Sequence, residues 1–523
     1  MGLTQMNGKK RLWLPSIADL FFLYPFLVLA LRKGTILLSD ADAGYHIRTG
    51  EYIIEHFTVP RYDIFSSLTP PPPWVAHEWL SEVVMAFVHK VSGLTGVVLF
   101  FSFWIAMISF LLFIFARSLN FDIIPTTAVV LLAVVSSSLH WLARPHIFSL
   151  LLTLIWYAVL HGYQYQKKDR LYLLPFFMLL WVNLHGGFIL GLVLLFVYGL
   201  GNLLSSFSEE PAKRKEAREK FKKLARVTFV TLLVSLINPR GYALLLYPFD
   251  TIFNRFLMNN VIEYLSLNFH GFVPYEYLLL VAIGVLALSR KGVDAIEFML
   301  LLLFTHMSLY SARYVPLFAI IVTPIILGQL QFILHTSTHR FASFLDQRNK
   351  NLEVLDGSAR GHLWPILGVA AIFAVGLDGK MTFGFDPARH PVAAVEFLKR
   401  EKIPGRMFND DEFGDYLIYA AWPEYRVAFD GRSDMYGEKW GESYSMVFRV
   451  MPGWQKFIEA NQFTWIFCRT DSSLSLALME NKNWRLIYFD PLARIFVRNI
   501  PEYSQLINKY SDVEPTILRE QGS

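Results

Sequence analysis

Residues 37–51 read LLSDADAGYHIRTGE: two aspartates, a histidine, an arginine and a glutamate directly after an apolar run. Ionisable groups at membrane depth are costly, and where they occur they mark a cavity or a surface that works on something polar. Which case applies here depends on the sidedness of the whole chain. Its 523 residues are 54% hydrophobic and 17% charged, with 45 Phe and 13 Trp. Soluble domains carry roughly 25% charged residues, so this is the composition of a membrane protein. The net charge of +5 is small, and the densest basic run, KRKEAREKFKKLAR, lies between two apolar segments. It reads as a loop rather than as the basic face of a nucleic-acid binder, so nucleic acid is excluded as a partner. The single cysteine, Cys468, excludes an intramolecular disulfide and a cysteine-built metal cluster.

Apolar segments near spanning length fall at about 13–32, 92–116, 124–142, 146–163, 171–184, 187–206, 226–239, 274–289, 294–311, 313–335 and 362–379, about eleven in all. The first follows Lys9, Lys10 and Arg11 without a small-residue cleavage site, as in an uncleaved signal anchor. Lys9–Arg11, Arg117, QKKDR (166–170), the basic run 213–226, SRKG (289–292) and Arg340 to Arg360 all occupy alternate connections. By the positive-inside rule those connections are cytoplasmic. The other side then holds 33–91, the turns LARPHI and NLHGGF, segment 239–273, LYSARY and everything after about 380.

Nearly all ionisable residues at segment ends lie on that outer side. The polar residues there are Asp40, Asp42, His46, Arg48, Glu51, His77 and Glu78 in the first outer loop, then Arg144, His146, Asn183, His185, Asn238, Arg240, His306 and Arg313. Each has a plain structural reading. Asp40 and Asp42 fit a solvated loop or a helix cap, and Glu78 fits a helix N-terminus. Arg144 and Arg313 fit snorkelling or lipid headgroups, His185 fits a turn before Gly186-Gly187, and His306 fits a packed core. HEWLSE lacks the second histidine of a zinc-protease helix. Independent accidents would populate both faces, whereas these residues crowd one. Arginines match phosphate through paired N–H donors, a carboxylate can take the proton of an attacking hydroxyl, and histidines hydrogen-bond sugar hydroxyls. Together they suit transfer of a group from a lipid-linked phosphate to an acceptor.

After residue 380 the pattern changes. HPVAAVEFLKREKIP, GDYLIYAAW, WQKFIEANQ and LSLALMENK read as helices. RMFND, YRVAFDGR, FTWIFCR, WRLIYFD and ARIFVRN read as strands. Alternation of this kind predicts a small α/β domain on a mostly parallel sheet over 380–500, with a loose tail at 501–523.

The run DADAGYHIRTGEYI, with VPRYDIFS, WVAHEWLSE, ARPHIFSL, LLWVNLHGGFILG, LINPRGY and FDGRSDMYG, resembles a bacterial branch of the C-type (GT-C) polytopic glycosyltransferases. That superfamily includes protein mannosyltransferases and the aminoarabinose transferase of lipid A. The resemblance implies an α-helical polytopic domain over 1–379 with its acidic first outer loop at 33–91, followed by an extracytoplasmic α/β domain. It places the protein in the bacterial cytoplasmic membrane with its N-terminus inside. It implies a polyprenyl-phosphate-linked sugar as donor, a glycan, lipid or protein as acceptor, and a single displacement with inversion. By position Asp42 is the base and Asp40 the second acid, although Ala41 separates acids that are adjacent in the mannosyltransferases. His77 and Glu78 join them in catalysis. His46, Arg48, Glu51, Arg144, His146, Asn183, His185, Arg240, His306 and Arg313 fall to substrate binding. If Asp40 and Asp42 face one site, a divalent ion, Mg or Mn, could bridge them. FDGRSDMYG fits acceptor recognition, or equally a turn on Gly431 with a buried Asp430–Arg432 pair. Two other functions compete with this one: a ligase or polymerase moving an oligosaccharide from a lipid diphosphate, and a glycan or lipid exporter or scaffold without catalysis. The alternation of basic loops, with an odd number of spans, predicts an extracytoplasmic C-terminus. A reporter active only in the cytoplasm and fused after Ser523 will stay silent; signal from it would overturn the sidedness.

Overall fold

In a lipid interior an unpaired backbone N–H or C=O has no water to turn to, so apolar segments become helices that satisfy their own backbone. The computed structural model describes residue 11, residues 13–31 and residues 34–513. Lys9, Lys10 and residues 514–523 of the expected tail lie outside the described residues. Among the described residues, Trp79–Ser118, Ile123–His140, His146–Gln166, Gly186–Ser205 and Ala312–Thr336 are long and apolar enough to cross a membrane. Ile17–Leu31, Leu173–Leu184, Ala243–Phe253, Pro274–Leu288, Ala295–Tyr310 and Leu363–Gly376 are shorter apolar helices. The protein is a multi-pass membrane protein. One expected segment is not a separate helix: residues from 226 continue the helix Pro211–Val234, whose first half carries the basic run. Pro211 starts that helix where no backbone donor is needed, and Lys220 meets Glu216 one turn away at 2.8 Å.

The chain divides into two compact units. One is helical and takes residues up to 37, 91–248 and 260–383. The other takes 38–90, 249–259 and the chain from 384 onward. The helix Trp79–Ser118 is interrupted where the division falls, at Gly93 (φ 59°, ψ −159°). A side chain there would be strained, and glycine adopts the conformation freely. Residues before the break are therefore an amphipathic helix of their own, and the apolar span begins after it.

The second unit contains a four-stranded sheet of β1 (Arg406–Asn409), β2 (Phe463–Arg469), β3 (Trp484–Phe489) and β4 (Ala493–Arg498), in the order β1-β2-β4-β3. Only β1 and β2 are parallel; β2–β4 and β3–β4 are antiparallel. The expectation of a mostly parallel sheet was wrong. The connection from β3 to β4 is too short for a crossover, and Asp490 tightens it by accepting from the backbone N–H of Leu492 (2.8 Å) and Ala493 (2.6 Å). Phe408, Phe429, Tyr444, Trp454, Phe463 and Phe496 fill the core beside the sheet.

Two further expectations need correction. YRVAFDGR is not a strand of this sheet. The Asn409 side chain takes the place of a ladder, accepting from Ala428 N–H (2.7 Å) and donating to the Phe429 carbonyl (2.8 Å). On the other side Ser67 N–H donates to the Val427 carbonyl at 2.8 Å, and Val427 N–H to the Phe65 carbonyl at 3.2 Å. The acidic stretch after residue 37 is not a loop throughout, because Asp42–His56 is a helix. Asp42, His46, Thr49 and Ile53 lie on its buried face at helical spacing. Because Asn409 alone serves two buried backbone groups, Asn409→Ala leaves both unsatisfied, a loss of about 1–3 kcal/mol for each group. Hydrogen–deuterium exchange over 426–431 should then speed up by roughly fivefold to a hundredfold; unchanged protection would show that other groups hold the segment.

Candidate functional site

Helix 42–56 and the helix beginning at Trp79 approach closely because Gly50 has no side chain: a Cβ there would lie 1.9 Å from the Glu82 carbonyl oxygen. One turn before Gly50, His46 points at the acids of the facing helix. Its Nδ1 lies 3.2 Å from Glu82 Oε1 and 3.6 Å from Glu78 Oε2. His77 stands beside them, its Nε2 3.7 Å from Glu78 Oε1. His46, Glu78 and Glu82 are all buried, and one ligand atom from each falls within 4.8 Å of the others. Burial above all, with His77 and Arg432 nearby, pushes the His46 pKa well down. Burial and then Glu78 push the Glu82 carboxyl well up, against the pull of Arg432. The second oxygen of Glu82, Oε2, is buried and has no hydrogen-bond partner. A buried imidazole and two buried carboxyls, one of which keeps an oxygen without a hydrogen bond, fit a divalent cation. The sequence pointed to Asp40 and Asp42 for such an ion; the grouping with this geometry shares neither.

Arg432 lies next to this cluster. Its Nη2 meets Asp63 Oδ1 at 2.8 Å and Asp430 Oδ2 at 2.7 Å, its Nε donates to Asp430 Oδ1 at 2.9 Å, and Tyr436 donates to Asp430 at 2.6 Å. The guanidinium sits over Trp74, Phe65 and Tyr45, with 4.6, 4.9 and 5.9 Å to the ring centroids. Its Nη1 is buried without a hydrogen-bond partner. The buried Asp430–Arg432 pair is the structural alternative weighed for FDGRSDMYG. Gly431 between them is a contact point: a Cβ there would lie 2.6 Å from Asp42 Oδ1 and 2.8 Å from Asp415 Oδ2. Asp42 and Asp415 are therefore neighbours, and Asp415 accepts from Gly431 N–H at 3.1 Å. Burial, then the charges of Asp430 and Asp40, hold the Asp415 carboxyl well above the usual carboxylate range. Asp40 accepts from the Asp42 N–H at 2.7 Å, just before the helix begins.

Arg48 and Glu51 lie apart from this cluster. They pair at 2.7 Å, Arg48 donates twice to the Tyr419 carbonyl, and Glu51 meets His89 at 3.3 Å. The remaining candidates belong to the helical unit. Arg144 forms an ion pair with Glu263, and Arg313 lies over the Tyr264 ring at 4.6 Å. Although burial raises it, Arg144, His140 and Arg313 together hold the Glu263 carboxyl down. The His146 ring lies tilted against that of His140, with centroids 4.3 Å apart. Asn183 donates to the Leu179 and Ile237 carbonyls at 2.8 and 3.0 Å. His185 Nδ1 accepts from Gly187 N–H at 2.9 Å and bonds Ser149 Oγ at 2.7 Å, which makes it a turn cap. Arg240 follows a turn in which its N–H donates to Asn238. His306 packs beside Tyr310. Sequence reasoning missed Glu82, Asp63, Asp415 and Glu263. Glu82 had a signal, one turn after Glu78 in HEWLSE, and the others had none.

No protein-family model matches the sequence, and no curated protein matches it. Among solved structures the chain is similar to an oligosaccharyltransferase from Archaeoglobus fulgidus in its apo form, at 9% identity and a TM-score of 0.57, covering 87% of this chain and 69% of that one. It is also similar to the oligosaccharyltransferase AglB from Archaeoglobus fulgidus, in complex with an inhibitory peptide and a dolichol-phosphate, at 9% identity and a TM-score of 0.53 over 92% and 74% of the two chains. At such identity the likeness is one of fold. The polytopic helical architecture with a C-terminal sheet domain, expected from the sequence, is the architecture found.

The raised Asp415 pKa carries a pH signature. The unfolded chain ionises this group near about pH 4 while the folded protein keeps it protonated. Its contribution to stability is therefore complete below that value and is lost as pH rises toward the folded pKa. Asp415→Asn retains an acceptor for Gly431 and removes the titration. Thermal melting in detergent should show a smaller fall in Tm for this variant than for wild type between about pH 5 and about pH 8. Parallel curves would mean that Asp415 is ionised in the folded state.

Proposed function

We propose that this protein is a glycosyltransferase that moves a sugar from a polyprenyl-phosphate-linked donor to an acceptor at the outer face of the cytoplasmic membrane. The supporting observation is the buried convergence of Asp42, His46, Glu78, Glu82 and Arg432 from distant parts of the chain. Buried, mutually perturbed ionisable groups of this kind are characteristic of reactive sites. Asp42 takes the proton of the acceptor hydroxyl as that oxygen bonds to the anomeric carbon. The bond from the anomeric carbon to the phosphate oxygen breaks on the opposite side, so the configuration inverts and the electron pair leaves with the lipid phosphate. Burial raises the pKa of the Asp415 carboxyl beside Asp42, which fits a division of roles between neighbouring acids with Asp42 as the base. Arg432 offers Nη1 to an anionic group of the substrate, and His77 orients the sugar or the acceptor. Arg144 and Arg313, gathered around Glu263, and Arg240 are assigned to the donor phosphate.

His46, Glu78 and Glu82 would hold a divalent cation, and their mixed nitrogen and oxygen donors favour Mn over Mg. Such an ion supplies charge neutralisation for a departing phosphate. A second reading, transfer of a whole oligosaccharide from a lipid diphosphate, is favoured by one observation: both similar structures are oligosaccharyltransferases. Purified protein given a monosaccharide-phosphate lipid or an oligosaccharide-diphosphate lipid separates the two readings. With the substrate that works, Asp42→Asn should lower transfer by about 10²–10⁴-fold at unchanged melting temperature, with a milder loss for Asp40→Asn. Glu82→Gln should shift the Mn requirement to higher concentration. Wild-type transfer by Asp42→Asn would remove Asp42 from the mechanism, and no transfer from either lipid by the wild type would overturn the enzymatic reading.

A further inference from the structure

Within the helical unit is a cavity of about 730 Å³ that plays no part in the proposed transfer. Three helix ends meet around it: the start of Ile17–Leu31, the C-terminal end of Trp79–Ser118 and the start of Leu363–Leu377. At these ends its wall is polar, formed by Ser16, Asp19, Arg117, Asp356, Arg360 and His362. Further along the same helices it is lined by Phe22, Phe103, Met107, Phe110 and Val369. The polarity is therefore segregated along the cavity, as a molecule with a head and a tail requires. Volumes of this order suit a single ligand.

The charges at the polar end indicate the sign of the head. Asp19 accepts from Ser16 Oγ at 2.7 Å and meets His362 at 3.0 Å, and Asp356 accepts from the Ile17 N–H at 2.7 Å. Arg117 donates to the Phe121 carbonyl and to Glu353 at 3.1 Å. Both acids in the wall are thus engaged. Arg360 donates only to backbone carbonyls, those of Gly357 (2.9 Å) and Ala359 (2.6 Å), and among the described residues it meets no carboxylate. An exposed guanidinium without an acidic partner, at the mouth of an apolar cavity in a membrane helix bundle, is complementary to a phosphate carried on a lipid chain. We infer that this cavity binds one anionic membrane phospholipid, with an acyl chain among Phe22, Phe103, Met107 and Phe110 and its headgroup phosphate on Arg360.

The test is native mass spectrometry of the full-length protein in detergent, titrated in parallel with phosphatidylglycerol, phosphatidylcholine and a short polyprenyl phosphate. Phosphatidylglycerol adducts should exceed phosphatidylcholine adducts severalfold in the wild type. Arg360→Gln should equalise the two lipids, and Ala370→Phe, which narrows the cavity wall, should reduce both. Neither residue belongs to the proposed transfer site, so sugar transfer should persist and failure here leaves that reading intact. If Arg360→Gln does not fold, Ala370→Phe alone still decides. The inference is overturned by equal wild-type retention of the two phospholipids or by adducts that neither substitution changes. Preferential retention of the polyprenyl phosphate also overturns it, as does phospholipid binding that appears only after residues 1–10 are removed.

Discussion

The sheet-containing unit depends on one buried cation. Arg432 is held by Asp63, which comes from the segment after the first apolar helix, and by Asp430, two residues away in the C-terminal part of the chain. Removing three charges from water is expensive, and such a cluster survives only where geometry and hydrogen bonds satisfy every charge. Here Phe65, Trp74 and Tyr45 box the guanidinium, Tyr436 donates to Asp430, and Ser66 and Phe65 donate backbone N–H groups to Asp63. The cluster thereby fixes segments 63–66 and 430–436, and with them Gly431 beside Asp42. The remaining donor, Nη1, is left for whatever enters.

This explains why the two parts of the chain were legible to different depths. The apolar helices could be read almost one for one because their physics is local: twenty greasy residues in lipid have one way to satisfy their backbone. The exception, 226–239, failed because a charged helix ran into an apolar one without a capping residue between them. The acidic stretch was singled out as a candidate site but misread as a loop. Its aspartates suit a turn, and what holds it helical is burial against the helix at Trp79. VAFDG has the composition of a strand, and a single asparagine from another strand displaced the ladder it would have formed.

The candidate site was half visible. Asp42 and His46 lie in one run of sequence and Glu78 in HEWLSE of the same outer segment, and the crowding of charge after an apolar helix drew attention to them. Asp63 lies in VPRYDIFS and Asp415 in GDYLIYAAW, runs whose patterns marked neither acid for the site, and only tertiary contact brings them to it. Arg144 and Arg313 were identified as phosphate binders from charge and sidedness alone. Their real setting adds Glu263, a carboxylate that pairs with Arg144 and feels the charge of Arg313. Under the proposed transfer a donor phosphate there would compete with an internal anion, so its binding strength would be a difference between two similar interactions.

The closeness of Gly431 to Asp42 also bears on biosynthesis. Asp42 leaves the ribosome almost four hundred residues before the backbone it packs against. Throughout that interval the first-loop acids have neither Arg432 nor the Gly431 turn beside them and can keep their water. The buried arrangement comes into being only after residue 431 has been made. A ribosome that stalls earlier releases membrane helices without it, so under the proposed transfer incomplete chains would be inert rather than partially active.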